Sequence, residues 1–220
     1  MTLESSKTLG GIGAILLFIG VIPFIQYLWV LGLVGAVLIL VALNDISNYY
    51  KARGIFRNAL YGIIIGIAGI ITAVVVAVAS ILVNLSNIKD FISNIYPGWN
   101  GDWSTLSGLT PNTSNLNPSD ILPFVTGIFL VFVAILVVIW IFAIISTLFV
   151  RRSLKEVADK SNVGSFGTAG LLLLIGAIIP LLGLILMWIA TLILAVAFFS
   201  MKPQEQQNPT MTSSPPPPTV

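Results

Sequence analysis

The chain has 220 residues, of which 57% are hydrophobic and only 8% charged, with a net charge of +2 and a mean hydropathy of +1.03. Soluble domains carry about a quarter charged residues, so this composition excludes an ordinary soluble globular fold and predicts an integral membrane protein. With no cysteine and no histidine, thiolate and imidazole metal sites, Cys nucleophiles and the commonest general base are excluded together.

The first apolar run extends without charge from Leu9 to Leu43, too long for one span of about 20 residues. Pro23 and Gln26 divide it, because proline breaks the backbone ladder and restricts the residue before it. Spans over 9–22 and 28–43 are expected, with Tyr27 and Trp29 in the aromatic belt; the competing reading is a pair that does not fully cross, because the first segment is shorter than a span of about 20 residues. A polar break follows at 44–58, where Ile46, Tyr49 and Tyr50 would share one face of a short surface helix and Lys51, Arg53 and Arg57 would lie among headgroups; a plain basic loop is the competing reading. The third span is 59–82. Gly62, Gly66 and Gly69 form a smooth stripe on it, predicted to pack closely against another helix of the same chain.

Past residue 82 the period of Ile88, Phe91, Ile92 and Ile95 continues as an amphipathic extension, stopped by Pro97-Gly98. The remainder of the 83–120 connection reads as an irregular external loop containing Trp99, Trp103 and a glycosylation triplet at Asn112-Thr113-Ser114. Asn84-Leu85-Ser86 matches the same pattern closer to the membrane. Asn117-Pro118-Ser119-Asp120 starts a helix with a capping side chain, proline at the first position and an acid at the positive dipole end. The fourth span, 121–150, continues as one long helix through Arg151, Arg152, Lys155 and Lys160. A second proline-broken pair, 167–179 and 184–201, breaks at Pro180 and Gly183, and residues 203–220 form a Pro-rich tail expected to be disordered.

The fold class is therefore all-α and membrane-embedded, with six spans in one domain. The basic residues Lys51, Arg53, Arg57, Arg151, Arg152, Lys155 and Lys160 gather in two connections, while the long loop carries Lys89 against Asp90, Asp102 and Asp120. That bias places both termini in the cytoplasm and the long loop outside, in a plasma-membrane protein.

Ser5–Gly20 (SSKTLGGIGAILLFIG) returns in register as Ser161–Gly176 (SNVGSFGTAGLLLLIG), matching at Gly11/Gly167, Leu16/Leu172 and Gly20/Gly176 among others. A fainter copy, Lys51–Gly66, aligns through Gly54/Gly164, Phe56/Phe166, Ala59/Ala169 and Gly66/Gly176. Both strong copies begin a span at the cytoplasmic face, so the repeat is parallel rather than inverted.

None of the charged residues falls within an expected span, where a proton- or sodium-driven carrier usually keeps one. No nucleophile–base pair and no phosphate-binding glycine loop is present. The sequence thus points to a non-enzymatic scaffold or accessory protein without cofactor or metal. Its partners are the lipid bilayer and a protein partner or second copy, not nucleic acid. The alternative is a small channel or carrier for an apolar or weakly polar solute, formed by oligomerisation. The stretches SSKTLGGIGAILLFIG, ISNYYKARGIFRNALYGIIIG and GSFGTAGLLLLIGA resemble an uncharacterised group of archaeal and bacterial membrane proteins, domain of unknown function 996. The resemblance spans about Leu3 to Met201 and implies a multi-span membrane protein, with no activity or site residues to transfer.

Overall fold

The computed structural model describes residues 3–20, 29–114 and 118–203, and among these it is helical, with no strand. In chain order the α-helices are α1 (Leu3–Gly20), α2 (Trp29–Tyr49), α3 (Arg53–Val83), α4 (Leu85–Ile95), α5 (Pro118–Ser161), α6 (Gly164–Ile178) and α7 (Pro180–Phe199). Four of the apolar stretches, Leu3–Gly20, Val30–Tyr49, Arg53–Val83 and Ile121–Ser161, are long and apolar enough to cross a membrane. The stretches within α6 and α7 are shorter.

The polar break at 44–58 is neither a separate surface helix nor a loop. α2 absorbs it to Tyr49 and α3 resumes at Arg53, leaving a turn with Lys51 in the left-handed region (φ 51). Ser47 closes that turn: its hydroxyl donates to the Ala52 carbonyl at 2.9 Å, and its own carbonyl accepts from Ala52 N–H. A hydroxyl near the helix end satisfies polar groups that the ending helix would otherwise orphan. The α5–α6 junction is equally short, with Asn162 at φ 56. At Pro180 the chain breaks as the sequence implies, since proline occupies the first position of α7 where no N–H is needed. The predicted break at Pro23, the cap at Asn117 and the tail beyond residue 203 lie outside the described residues.

The helices pack as three antiparallel pairs, α1 with α2, α3 with α5 and α6 with α7. The second helix of each pair contacts the first helix of the next: α2 meets α3, α5 meets α6, and α7 returns to α1. The three sequence copies are α1, the start of α3, and α6, so each copy opens one pair. Equivalent positions Gly13, Ala59 and Ala169 are buried in all three. Only a small side chain lets helix backbones approach this closely.

The core lies at one end of this ring, where α2 and α5 finish and α3 and α6 begin. Ile46, Ile55, Leu154, Val157, Phe166 and Phe198 are fully buried there. Phe198 is the centre of it, edge-on to Phe166 at 5.0 Å and lying over Gly10, where any Cβ would collide with its ring. Opposite, the outer halves of α3 and α5 run on as a pair whose apolar side chains are exposed, Val83 at 79% and Leu122 at 68%.

Candidate functional surfaces

At the packed end the basic residues form a rim. Lys51, Arg53, Arg57, Arg152, Lys155 and Lys160 are exposed and Arg151 is half-buried. The Arg152 guanidinium sits 5.6 Å over the Phe149 ring, and Lys7 pairs with Glu4 at 3.2 Å while donating to the Met201 carbonyl just past α7. An ammonium at a helix C-terminus answers the negative end of its dipole. The Glu156 carboxylate occupies the space a side chain on Gly54 would need, in the first turn of α3, where negative charge meets the positive end of a dipole. Two polar atoms at this end, Asp45 Oδ2 and the Tyr50 hydroxyl, are buried without a hydrogen-bond partner. Burial pushes the Tyr50 phenol above its ordinary pKa, and neighbouring Tyr49 adds to the shift.

The glycine stripe on α3 faces α5. A Cβ on Gly62 would meet Val150 Cγ2 at 2.7 Å, and one on Gly69 would meet Phe142 Cγ at 2.8 Å. Gly66 is looser, its nearest neighbour being Ser146 Oγ at 3.5 Å. Two α5 hydroxyls fix the register by donating to α3 carbonyls: Ser146 to Gly62 at 2.8 Å and the buried Ser153 to Ile55 at 2.6 Å. The Ser146 bond is invisible to sequence reading, because it requires knowing which face of α5 meets α3.

The second surface lies at the far end. Val83 ends α3, and Asn84 turns the chain by sending both its backbone N–H (3.1 Å) and its Nδ2 (2.8 Å) to the Ser80 carbonyl. The Asn84 amide, part of one glycosylation triplet, is thus engaged in the helix junction. Beyond it α4 carries its apolar face toward α5, with Phe91 stacked on Phe124 at 4.0 Å. Between α3, α4 and α5 this leaves an open groove of about 500 Å³. Asn84, Asn87, Asp90 and Asn94 form its polar wall; Pro123, Phe124, Ile128 and Val131 form the apolar one.

The loop after α4 is more ordered than its composition implies. Asp102 accepts from the backbone and side chain of Ser104 at 3.0 and 2.9 Å, capping a 3-10 turn over Trp103–Gly108. These bonds, the backbone one foremost, hold its carboxyl below the usual range. Trp99 donates to the Asp102 carbonyl at 2.6 Å and meets Trp103 edge-on at 5.1 Å. Asn112 is exposed, its Oδ1 accepting from Ser114 N–H and its own N–H donating to the Ile95 carbonyl. Among the described residues no group of three or more His, Cys, Asp or Glu stands where it could hold a metal ion.

A family described as a protein of unknown function, DUF996, matches over residues 31–193. The chain belongs to the DUF996 family. An uncharacterized protein of the archaeon Methanocaldococcus jannaschii is 31% identical over 205 residues, covering 91% of this chain and 94% of the relative. No solved structure matches. The matched segment begins inside α2 and ends inside α7, so it takes in the α3–α5 pair, the loop between them and α6.

Proposed function

We propose that this protein is a multi-pass integral membrane protein of the plasma membrane, with a non-enzymatic scaffold or accessory role and both termini in the cytoplasm. The observation that carries the reading is the surface of α3 and α5. Between the basic rim and the Asn84 junction, Ile70, Ile71, Val74, Val75 and Val78 are each more than half exposed. Exposed apolar surface of that extent marks an interaction face, and on helices long and apolar enough to cross a membrane lipid is the natural cover. The basic rim faces the cytoplasm by the charge rule, which puts the Trp99–Trp103 loop and the Asn-walled groove outside as the surface offered to partners. No cofactor or nucleic acid enters this reading.

The test is reconstitution. The protein should resist alkaline extraction from membranes, and proteoliposomes containing it should be no more permeable to small neutral solutes than empty ones. Protein-dependent flux that is lost in Gly69→Leu, which forces α3 off α5, would overturn the scaffold role and favour a carrier.

A further inference from the structure

The three helix pairs begin at one level but do not reach equally far. α3 and α5 are registered by Ser153 on Ile55, Ser146 on Gly62 and Phe142 against Gly69. α6 climbs α5 from Gly170, beside Arg151, to Ala177, whose carbonyl accepts from Trp140 Nε1 at 2.8 Å. Trp140 lies half a turn from Phe142, so α6 ends level with Gly69 to Thr72 of α3. On its other side the α6–α7 pair packs against α1: Trp188 of α7 stacks on Phe18 at 4.5 Å and donates to the Phe18 carbonyl at 3.1 Å. In the repeat's own register, Gly66 and Gly176 are equivalent; α6 ends two residues past the second, whereas α3 continues to Val83.

The apolar part of α3 from Ala59 to Val83 is about 37 Å long at 1.5 Å per residue, one bilayer core of about 30 Å with modest tilt. The α6–α7 pair therefore turns near the midpoint of that stretch. Chemistry at the α6–α7 turn agrees: Ala177 to Leu184 contains no polar side chain. A helix end in water leaves its last carbonyls to solvent; in hydrocarbon they must be satisfied by protein. Here Ile179 N–H donates to Ile175, Gly183 N–H donates to Ile179, Pro180 has no N–H to satisfy, and indoles cover the Ala177 and Phe18 carbonyls.

We infer that the α6–α7 pair is re-entrant: it enters and leaves through the cytoplasmic face and turns in the middle of the bilayer, beside α3 and α5, which cross. At this pair the protein then fills two helix cross-sections in the cytoplasmic leaflet that it does not fill in the outer one, and outer-leaflet lipid rests on the hairpin tip. At about 10 Å diameter per helix, the difference is on the order of 150 Å² of leaflet area.

This rests on the membrane reading above, and one experiment separates the two. The chain has no cysteine, so single spin labels are placed at Ile179→Cys, Ile70→Cys and Val83→Cys in reconstituted protein, with Ile178→Cys as a second tip position. Collision with oxygen and with a water-soluble nickel chelate reports depth. Labels at 178 and 179 should match the label at 70, oxygen-rich and shielded from nickel, and lie deeper than the label at 83. If 70 is shielded but both tip labels shift to the value at 83, the pair crosses and re-entrance is overturned alone. If 70 itself is open to nickel, the membrane reading falls and re-entrance falls with it.

Discussion

The packed end and the outer pair are built from nearly the same residues, yet one is a core and the other is not. At the packed end six helices converge, and small residues bring backbones together so that Phe166, Phe198, Ile46 and Ile55 have no exposed surface. In the outer half α3 and α5 have only each other and α4, and Ile and Val side chains of the same kind stay more than half exposed. Hydrophobicity does not distinguish them. What does is the supply of glycine and alanine at facing positions, which lets helix backbones approach closely enough for side chains to pack on every side. Polar groups divide the regions too: the Phe18 and Ala177 carbonyls accept from indoles of neighbouring helices, whereas α3 ends at Asn84, which donates to the Ser80 carbonyl of the same helix.

The widest gap between the regions is expected at glycine. Gly183 and Gly176 touch backbone to backbone, and a Cβ on Gly183 would overlap the Gly176 carbonyl, so Gly183→Leu should part α6 from α7. Gly127 on the outer part of α5 has nothing within 4 Å of where its Cβ would lie, and Gly127→Leu should leave the fold intact. Size-exclusion homogeneity and thermal unfolding in detergent read both; equal loss would mean that the outer pair is packed after all. A smaller contrast is expected at phenylalanine. Phe198→Ala removes a fully buried ring and should cost about 3 kcal/mol, while Phe129→Ala, at a ring 61% exposed, should change stability little. Denaturant titration of each variant in micelles gives the comparison directly.

Much of this division was legible before any coordinates. Proline positions located the Pro180 turn, the glycine stripe marked the α3 face that meets α5, and the repeat marked the helix that opens each pair. The polar stretch at 44–58 misled because charge density was taken for a break in structure. Ile46 and Ile55 in fact use helical spacing to reach the core, while Lys51 and Arg53 stay on the rim. Span length alone leaves the reach of a short helix open: an apolar helix of 15 residues such as α6 reads as a short span, and the Trp140–Ala177 bond is what marks how far it climbs α5. The groove beside α4 has no sequence signature, since its two walls come from residues about 40 apart.

The smallest expected effect is at the loop after α4, where order comes from one carboxylate rather than from packing. Asp102 is exposed, and its two bonds from Ser104 favour the ionised form, lowering its pKa. A carboxyl whose folded pKa is depressed stabilises the folded loop at pH above its unfolded value, about 3.9, and that contribution is lost as pH falls through the lower folded value. Solvent screening keeps such a contribution small for an exposed group. Trp99, held by the Asp102 carbonyl and edge-on to Trp103, is the local reporter. In the otherwise unaltered chain, quenching of tryptophan emission by a water-soluble quencher should be constant from neutral pH to about 5 and should rise below about 4 as the Trp99–Trp103 contact opens. Asp102→Asn should remove this acid transition while leaving the unfolding of the α3–α5 pair unchanged. If unfolding of the pair moved with the loop, the outer half would be stabilised from its tip, and the contrast with the packed end would be one of degree.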